Sequence, residues 1–176
     1  MALDRDKFKS LVHYVCWKCV DPSTLGAVKL NKILWLSDFS AFSERGEAIT
    51  GSRYIKRQYG PVPSAVEPAL YALQSEGSIM MTAGLPFHAY RKKEFRALSV
   101  PAMGAFGQEE LRIVDRIIDF VCNEHTAKSI SELSHDHVWR AAEEGEEIPY
   151  FTTFAVRGEI EESDREWARQ ELEARD

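Results

Sequence analysis

Three short stretches hold side chains whose types and spacing could do chemistry. Cys16 and Cys19 form a CxxC, the spacing of redox and metal-binding thiol pairs. Cys122 and His125 form a CxxH, which would complete a three-cysteine, one-histidine set suited to zinc. His135, Asp136 and His137 could also hold a metal. Each has a plainer explanation. A redox CxxC ordinarily follows a strand and opens a helix, where the helix dipole lowers the thiol pKa. Cys16 and Cys19 instead lie on the apolar stripe at the far end of a helix, which predicts core packing. The two halves of the zinc set stand about a hundred residues apart near helix ends, unlike a compact zinc knuckle. Capping and packing account for His135 to His137. No GxSxG, phosphate-binding loop or GxGxxG is present. The glutamates are spread over polar helix faces, with no cleft to raise a pKa. The expectation is a protein without catalytic residues, cofactor or metal, and hence not an enzyme.

The elements that must position these residues fit one domain. The chain has 176 residues, 44% of them hydrophobic. Such a length buries about 70% of its unfolded surface and needs no disulfide or metal to fold. An odd cysteine count points to a reducing compartment, and the charged N-terminal stretch carries no signal-peptide pattern, so a cytoplasmic protein is expected. No run is apolar and long enough to cross a membrane. Residues 159–176 carry eight acids and three arginines, a net −5 of the whole chain's −6. The remainder is therefore almost neutral, which suits neither a nucleic-acid nor an anionic-membrane binder.

The pattern predicts a mostly α fold with a minor β-hairpin: one compact helical domain over 1–158 and an acidic, helical tail over 159–176. Phe8, Leu11, Val12, Val15, Cys16 and Cys19 make one helical stripe, ended by Asp21 and Pro22. A helix over about Val28–Ser43 is apolar on several sides and so central, with Asn31 and Asp38 forming a polar pair on one face. Tyr59–Pro63 reads as a rigid turn, its glycine permissive and its prolines fixing φ. Ser64 with Glu67 predicts a capping box ahead of a helix stopped by Gly77. A hairpin is expected from Ser78–Thr82 and Ala89–Leu98 around Gly84 and Pro86. A strong helix follows over about Gln108–Asn123. Ser129 with Glu132 predicts a cap for a short helix to Ser134, and Asp136 a cap for one over Val138–Glu144. Phe151–Val156 reads as a short strand.

The alternative function is a winged-helix regulator that binds nucleic acid. A helix followed by a hairpin bearing Arg91, Lys92, Lys93 and Arg96 against Glu94 resembles a helix and wing, and the helices after residue 108 resemble a helix-turn-helix. The would-be recognition helix, however, ends in Glu143 and Glu144, followed by Glu146 and Glu147. Four carboxylates there would repel the phosphates that supply most binding affinity, so nucleic acid is not the expected partner.

Several segments together resemble the SocA-like antitoxin domain, or Panacea domain, of toxin–antitoxin modules. They are KLNKILWLSDF (29–39), ITGSRYI (49–55), YGPVP (59–63), LSH (133–135) with Trp139, and GEEIP (145–149). The resemblance spans roughly residues 25–150 in order, with Trp35 standing where tyrosine is frequent. It implies a helical antitoxin that neutralises a cognate protein toxin through a direct complex, and some relatives deliver the toxin to a cellular protease. It implies no catalytic residue. The residues it singles out are Lys29, Asn31, Trp35, Asp38, Tyr59, Gly60, Pro61, His135 and Trp139, as scaffold or partner contacts. Tyr59 is the expected exposed aromatic, and His135 and Trp139, four apart, are expected to share a face.

Overall fold

A computed structural model describes residues 2–19, 21–87 and 90–157. The expected tail and Trp167 lie outside the described residues. Helix α1 (Arg5–Lys18) is capped by Asp4, whose carboxylate accepts the Lys7 N–H at 2.9 Å. Its stripe from Phe8 to Cys16 is buried, as the spacing predicts. Helix α2 (Pro22–Arg45) starts earlier than its apolar pattern does. Proline opens it, a kink at Gly26 (φ 61°, ψ 164°) interrupts it, and Gly46 (φ 77°) ends it. Gly26, ahead of the apolar pattern, thus marks a kink inside the helix.

Hairpin β1 (Tyr54–Arg57) and β2 (Gly60–Pro63) follows, then α3 (Val66–Ser75). A longer hairpin comes next, β3 (Ile79–Phe87) and β4 (Tyr90–Ala97). Helix α4 (Gln108–Asp119) runs on into a π-helical turn (Phe120–Glu124). Short helices α5 (Ala127–Leu133), α6 (His137–Ala141) and α7 (Thr152–Arg157) complete the described chain. It is a mostly α fold with two small antiparallel strand pairs. No helix among the described residues is long and apolar enough to cross a membrane.

Helix α2 is central because it is apolar nearly all round. One side joins the main core, where Leu30, Ile33 and Leu34 pack with Leu11, Leu73, Phe95, Val114 and Ile130. Another joins a smaller cluster of Trp35, Phe39, Tyr54 and Ile148. Each fully buried leucine or isoleucine contributes about 1.5–3 kcal/mol. The helix therefore ties α1, α4, α5, α7 and both hairpins together.

Several local expectations fail for identifiable reasons. Tyr59–Pro63 is mostly strand: the turn is Gln58–Tyr59, and Pro61 and Pro63 pair with Lys56 and Tyr54. Prolines are tolerated because β1 bridges Glu147 on its other side, leaving β2 at the edge. Ser64 does not cap α3; Ala65 stands at that position with no side-chain bond. Helix α5 is capped one turn earlier than expected, by Thr126 in reciprocal bonds with Ser129. The long hairpin continues past Gly84 and Pro86, which sit at a register shift, to the pair Phe87–Tyr90. Asp136 caps α6 as expected, but that helix stops at Ala141. Phe151–Val156 is helical rather than extended, because two hydrogen bonds from Thr152 to Pro149 and the Tyr150–Phe154 turns close locally.

Candidate functional site

Lys29, Lys32, Trp35 and Asp38 stand on α2 at steps of three. Each step turns about 60° short of a full circle, so the row winds slowly around the helix. It meets three different neighbourhoods along the way, and the family-like segments supply most of their walls.

At one end Asp38 is fully buried. Its carboxylate accepts the Thr50 N–H at 2.8 Å, the Thr50 hydroxyl at 2.6 Å and the Tyr54 hydroxyl at 2.7 Å. Tyr150 Oη donates to the Ser52 carbonyl at 2.5 Å and lies 3.3 Å from Asp38 Oδ2. The Tyr54 hydroxyl is also within 2.8 Å of the Leu34 carbonyl. Burial raises the Asp38 pKa, and the bonds from Thr50, Tyr54 and Tyr150 oppose that rise. Burial and the Asp38 charge push both tyrosines well above their ordinary range. The network fastens the 49–55 segment and Tyr150 to the central helix. Asn31, expected beside Asp38, lines a separate groove of about 290 Å³ with Ile55, Val62 and Phe95.

In the middle, Lys32 is only 1% exposed. No carboxylate among the described residues forms an ion pair with it, and burial lowers its pKa to about 7. Hairpin β1–β2 lies directly over it. Gly60 adopts φ +100°, and a β-carbon there would stand 2.0 Å from Lys32 Nζ and 2.3 Å from Ser134 Oγ. The glycine is thus required twice, by its backbone and by the side chains beneath it. Pro61 beside it is buried. Lys32 Nζ lies 5.8 Å from the Trp35 ring, whose buried Nε1 has no hydrogen-bond partner among the described residues. Over the same hairpin, His135 stacks on Trp139 with centroids 3.7 Å apart and planes 13° from parallel. The two rings meet although His135 precedes the Asp136 cap, so no continuous helix joins them. Trp139 Nε1 donates to the Arg57 carbonyl at 3.2 Å, and Lys56 Nζ sits 4.2 Å from its ring. Burial first, then the charges of Lys32, Arg140 and Lys56, lower the His135 pKa. The neutral imidazole is thereby favoured.

At the other end Lys29 is buried, and its ammonium donates to the Cys122 carbonyl at 3.2 Å. Beside it opens a groove of about 660 Å³, lined by Leu25, Gly26, Val28, Tyr59, Cys122 and His125. Tyr59 stands at this groove 56% exposed, the exposed aromatic that the sequence predicted. Cys16 and Cys19 are buried, as packing on a stripe requires. Cys19 and Cys122 nevertheless approach each other, Sγ to Sγ 3.5 Å. Among the described residues no group of three or more metal-ligating side chains converges.

Sequence reasoning missed Lys32, Thr50, Tyr54, Ser134 and Tyr150. A lysine three residues from Lys29 and from Trp35, inside an otherwise apolar helix, was the one available signal for Lys32.

A family profile described as antitoxin SocA-like, Panacea domain, matches residues 30–140, most of the described chain and all three neighbourhoods in part. No curated protein and no solved structure matches.

Proposed function

The chain belongs to the SocA-like Panacea family, and on that premise we propose that it is an antitoxin holding a co-encoded protein toxin inactive in a direct complex. The family match over residues 30–140 carries this reading, since it takes in α2 from Leu30 onward, the β1–β2 hairpin and the His135–Trp139 stack. The physical arrangement supports binding rather than turnover. Asp38 is bonded within the fold, His135 is covered by Trp139, and both face packed elements instead of an open cleft. The groove flanked by Tyr59 offers what a complex needs: a mostly apolar recess with an exposed aromatic at its edge. In this reading Tyr59 is a contact for an apolar side chain of the toxin. Lys29, Trp35, Asp38, Gly60, Pro61, His135 and Trp139 build the scaffold beneath, and Asn31 borders a separate groove.

The test is co-expression with the product of the neighbouring gene. Growth rescue together with a complex that survives size-exclusion chromatography supports the reading. Toxin that is stable with purified antitoxin but disappears in cells makes the protein an adaptor for a protease. Rescue with no complex at all points to an enzyme instead.

A further inference from the structure

Two of the three cysteines, all free thiols, meet although they lie 103 residues apart in the chain. Cys19 closes α1 with non-helical backbone angles, and Cys122 stands on the π turn that follows α4. Cys122 is half-buried and also lines the groove beside Tyr59. Cys16, one turn before Cys19, is sealed in the core at 2% exposure, and burial pushes its thiol up to about 12. The two that meet differ in the other direction. The hydrogen bond shared with Cys19 comes first among the causes that hold the Cys122 thiol below its ordinary range, helped by the Lys29 charge. Cys19 is pushed far up by the same bond and by burial. Cys19 is buried whereas Cys122 is half-buried and lines the groove, so Cys122 is the thiol that a solute meets first and the one that attacks.

We propose that Cys122 and Cys19 form a modification site for hydroperoxides, with Cys122 attacking and Cys19 resolving, that closes into a disulfide between the ends of α1 and α4. The Cys122 thiolate attacks the terminal peroxide oxygen, the O–O bond breaks, and the departing hydroxide, or the alkoxide of an organic hydroperoxide, takes a proton to become water or an alcohol. Cys122 is left as a sulfenic acid, its sulfur oxidised by two electrons. The Cys19 sulfur, losing its proton, then attacks Cys122 sulfur and expels hydroxide, which leaves as water. The two sulfurs must close from 3.5 Å to about 2.05 Å, and both stand where regular α-helix has ended. The bond fixes one wall of the groove that Tyr59 flanks. The inference stands whether or not the partner is a toxin.

The experiment uses full-length protein, reduced and then freed of reductant, and treated at neutral pH with a small excess of hydrogen peroxide. Two of the three thiols should be lost together. A peptide map should join Cys19 to Cys122, and dithiothreitol should reverse the change. The native chain should react at least ~10-fold faster than the urea-unfolded chain, because thiolate character and access decide the rate. In Cys19→Ala the reaction should stop at a sulfenic acid on Cys122 that dimedone captures, while Cys122→Ala should lose the fast phase. Should either variant fail to fold, the wild-type map and rate decide alone. A Cys16–Cys19 bond, chain-to-chain disulfides, or a native rate no faster than the unfolded one overturns the proposal.

Discussion

Asp38 and Lys32 stand six residues apart on the same helix, both ionisable and both hidden from solvent. The fold treats them differently. Asp38 is surrounded by donors from Thr50 and Tyr54, with Tyr150 nearby, so its burial is compensated by hydrogen bonds. Lys32 faces a glycine, a serine hydroxyl and aromatic rings, with no ion-pair partner among the described residues, and its pKa falls to about 7. A buried charge survives either by gathering partners or by giving up its charge. The first group acts as a fastener between segments. The second makes the covering hairpin sensitive to both shape and pH.

The largest effect should come from the fastener. Asp38→Ala leaves the Thr50 N–H and the Thr50 and Tyr54 hydroxyls without their acceptor inside the core. Breaking such a network by removing one partner costs about 3–5 kcal/mol. Urea unfolding monitored by circular dichroism measures it. A loss under about 1 kcal/mol would mean that water or a rearranged Tyr150 replaces the carboxylate, and the contrast with Lys32 would collapse.

The hairpin over Lys32 should come next. Gly60→Ala places a methyl 2.0 Å from Lys32 Nζ and 2.3 Å from Ser134 Oγ, on a backbone at φ +100°. Strain at such a position costs about 1–3 kcal/mol before any clash is added. The total expected is about 2–4 kcal/mol. In a Lys32→Ala background the lysine clash is gone, so the same Gly60→Ala change should cost at least ~1 kcal/mol less. Equal costs in the two backgrounds would show that only the backbone demands glycine, and that Lys32 is not pressed against the hairpin.

Lys32 alone should show a smaller, pH-dependent effect. Its folded pKa of about 7 lies below its ordinary value of 10.5. Between those values the unfolded chain holds the proton and the folded chain does not, so stability rises with pH across that window. Below pH 7 both forms are charged and the whole cost of burying the ammonium is present. Moving from pH 7 to 8.5 should therefore stabilise the wild type by about 1.5 kcal/mol through this group. Lys32→Met keeps the stem and removes the titration. Cys122, also held below its ordinary range, adds a slope of the same sign to both proteins, so the difference between them isolates the lysine. Parallel stability–pH curves would show that Lys32 stays charged and partnered.

Much of this contrast was hidden in the sequence for physical reasons. The helices of Phe8–Cys16 and of Leu111–Val121 were legible because an apolar stripe of period 3.6 needs only local information. The central place of α2 followed from its apolar circumference. The fates of Lys32 and Asp38 did not follow, because they depend on partners from other elements: Thr50 and Tyr54, Gly60, Ser134 and Tyr150. The meeting of Cys19 with Cys122 likewise depends on how α1 and α4 end, not on either CxxC or CxxH spacing. Local chemistry also misled. Gly84 and Pro86 have the composition of a turn, yet the strands pair beyond them, and Phe151–Val156 was too short for periodicity to separate strand from helix. The ordered family-like segments were the signal that reached furthest, since they carry long-range packing that a single motif does not.

The smallest effect on the fold should come from Tyr59, and it tests where the buried scaffold ends and the binding surface begins. Its ring is 56% exposed, and the contact it makes inward is through its backbone, the carbonyl accepting the Ser131 hydroxyl at 3.1 Å. Tyr59→Ala keeps that carbonyl and removes only the side chain at the groove. Stability should change by less than about 0.5 kcal/mol, as for surface positions without special packing. Affinity for the partner toxin should fall much more, by about 2 kcal/mol or ~30-fold, if the ring is a central contact of the complex. Thermal unfolding checks the first figure and calorimetric titration with the co-expressed partner the second. A destabilised fold would place Tyr59 with Asp38 among the fasteners. A stable variant with unchanged affinity would move the toxin-binding face away from this groove and toward the exposed Phe151 and Phe154 at the other end of the row.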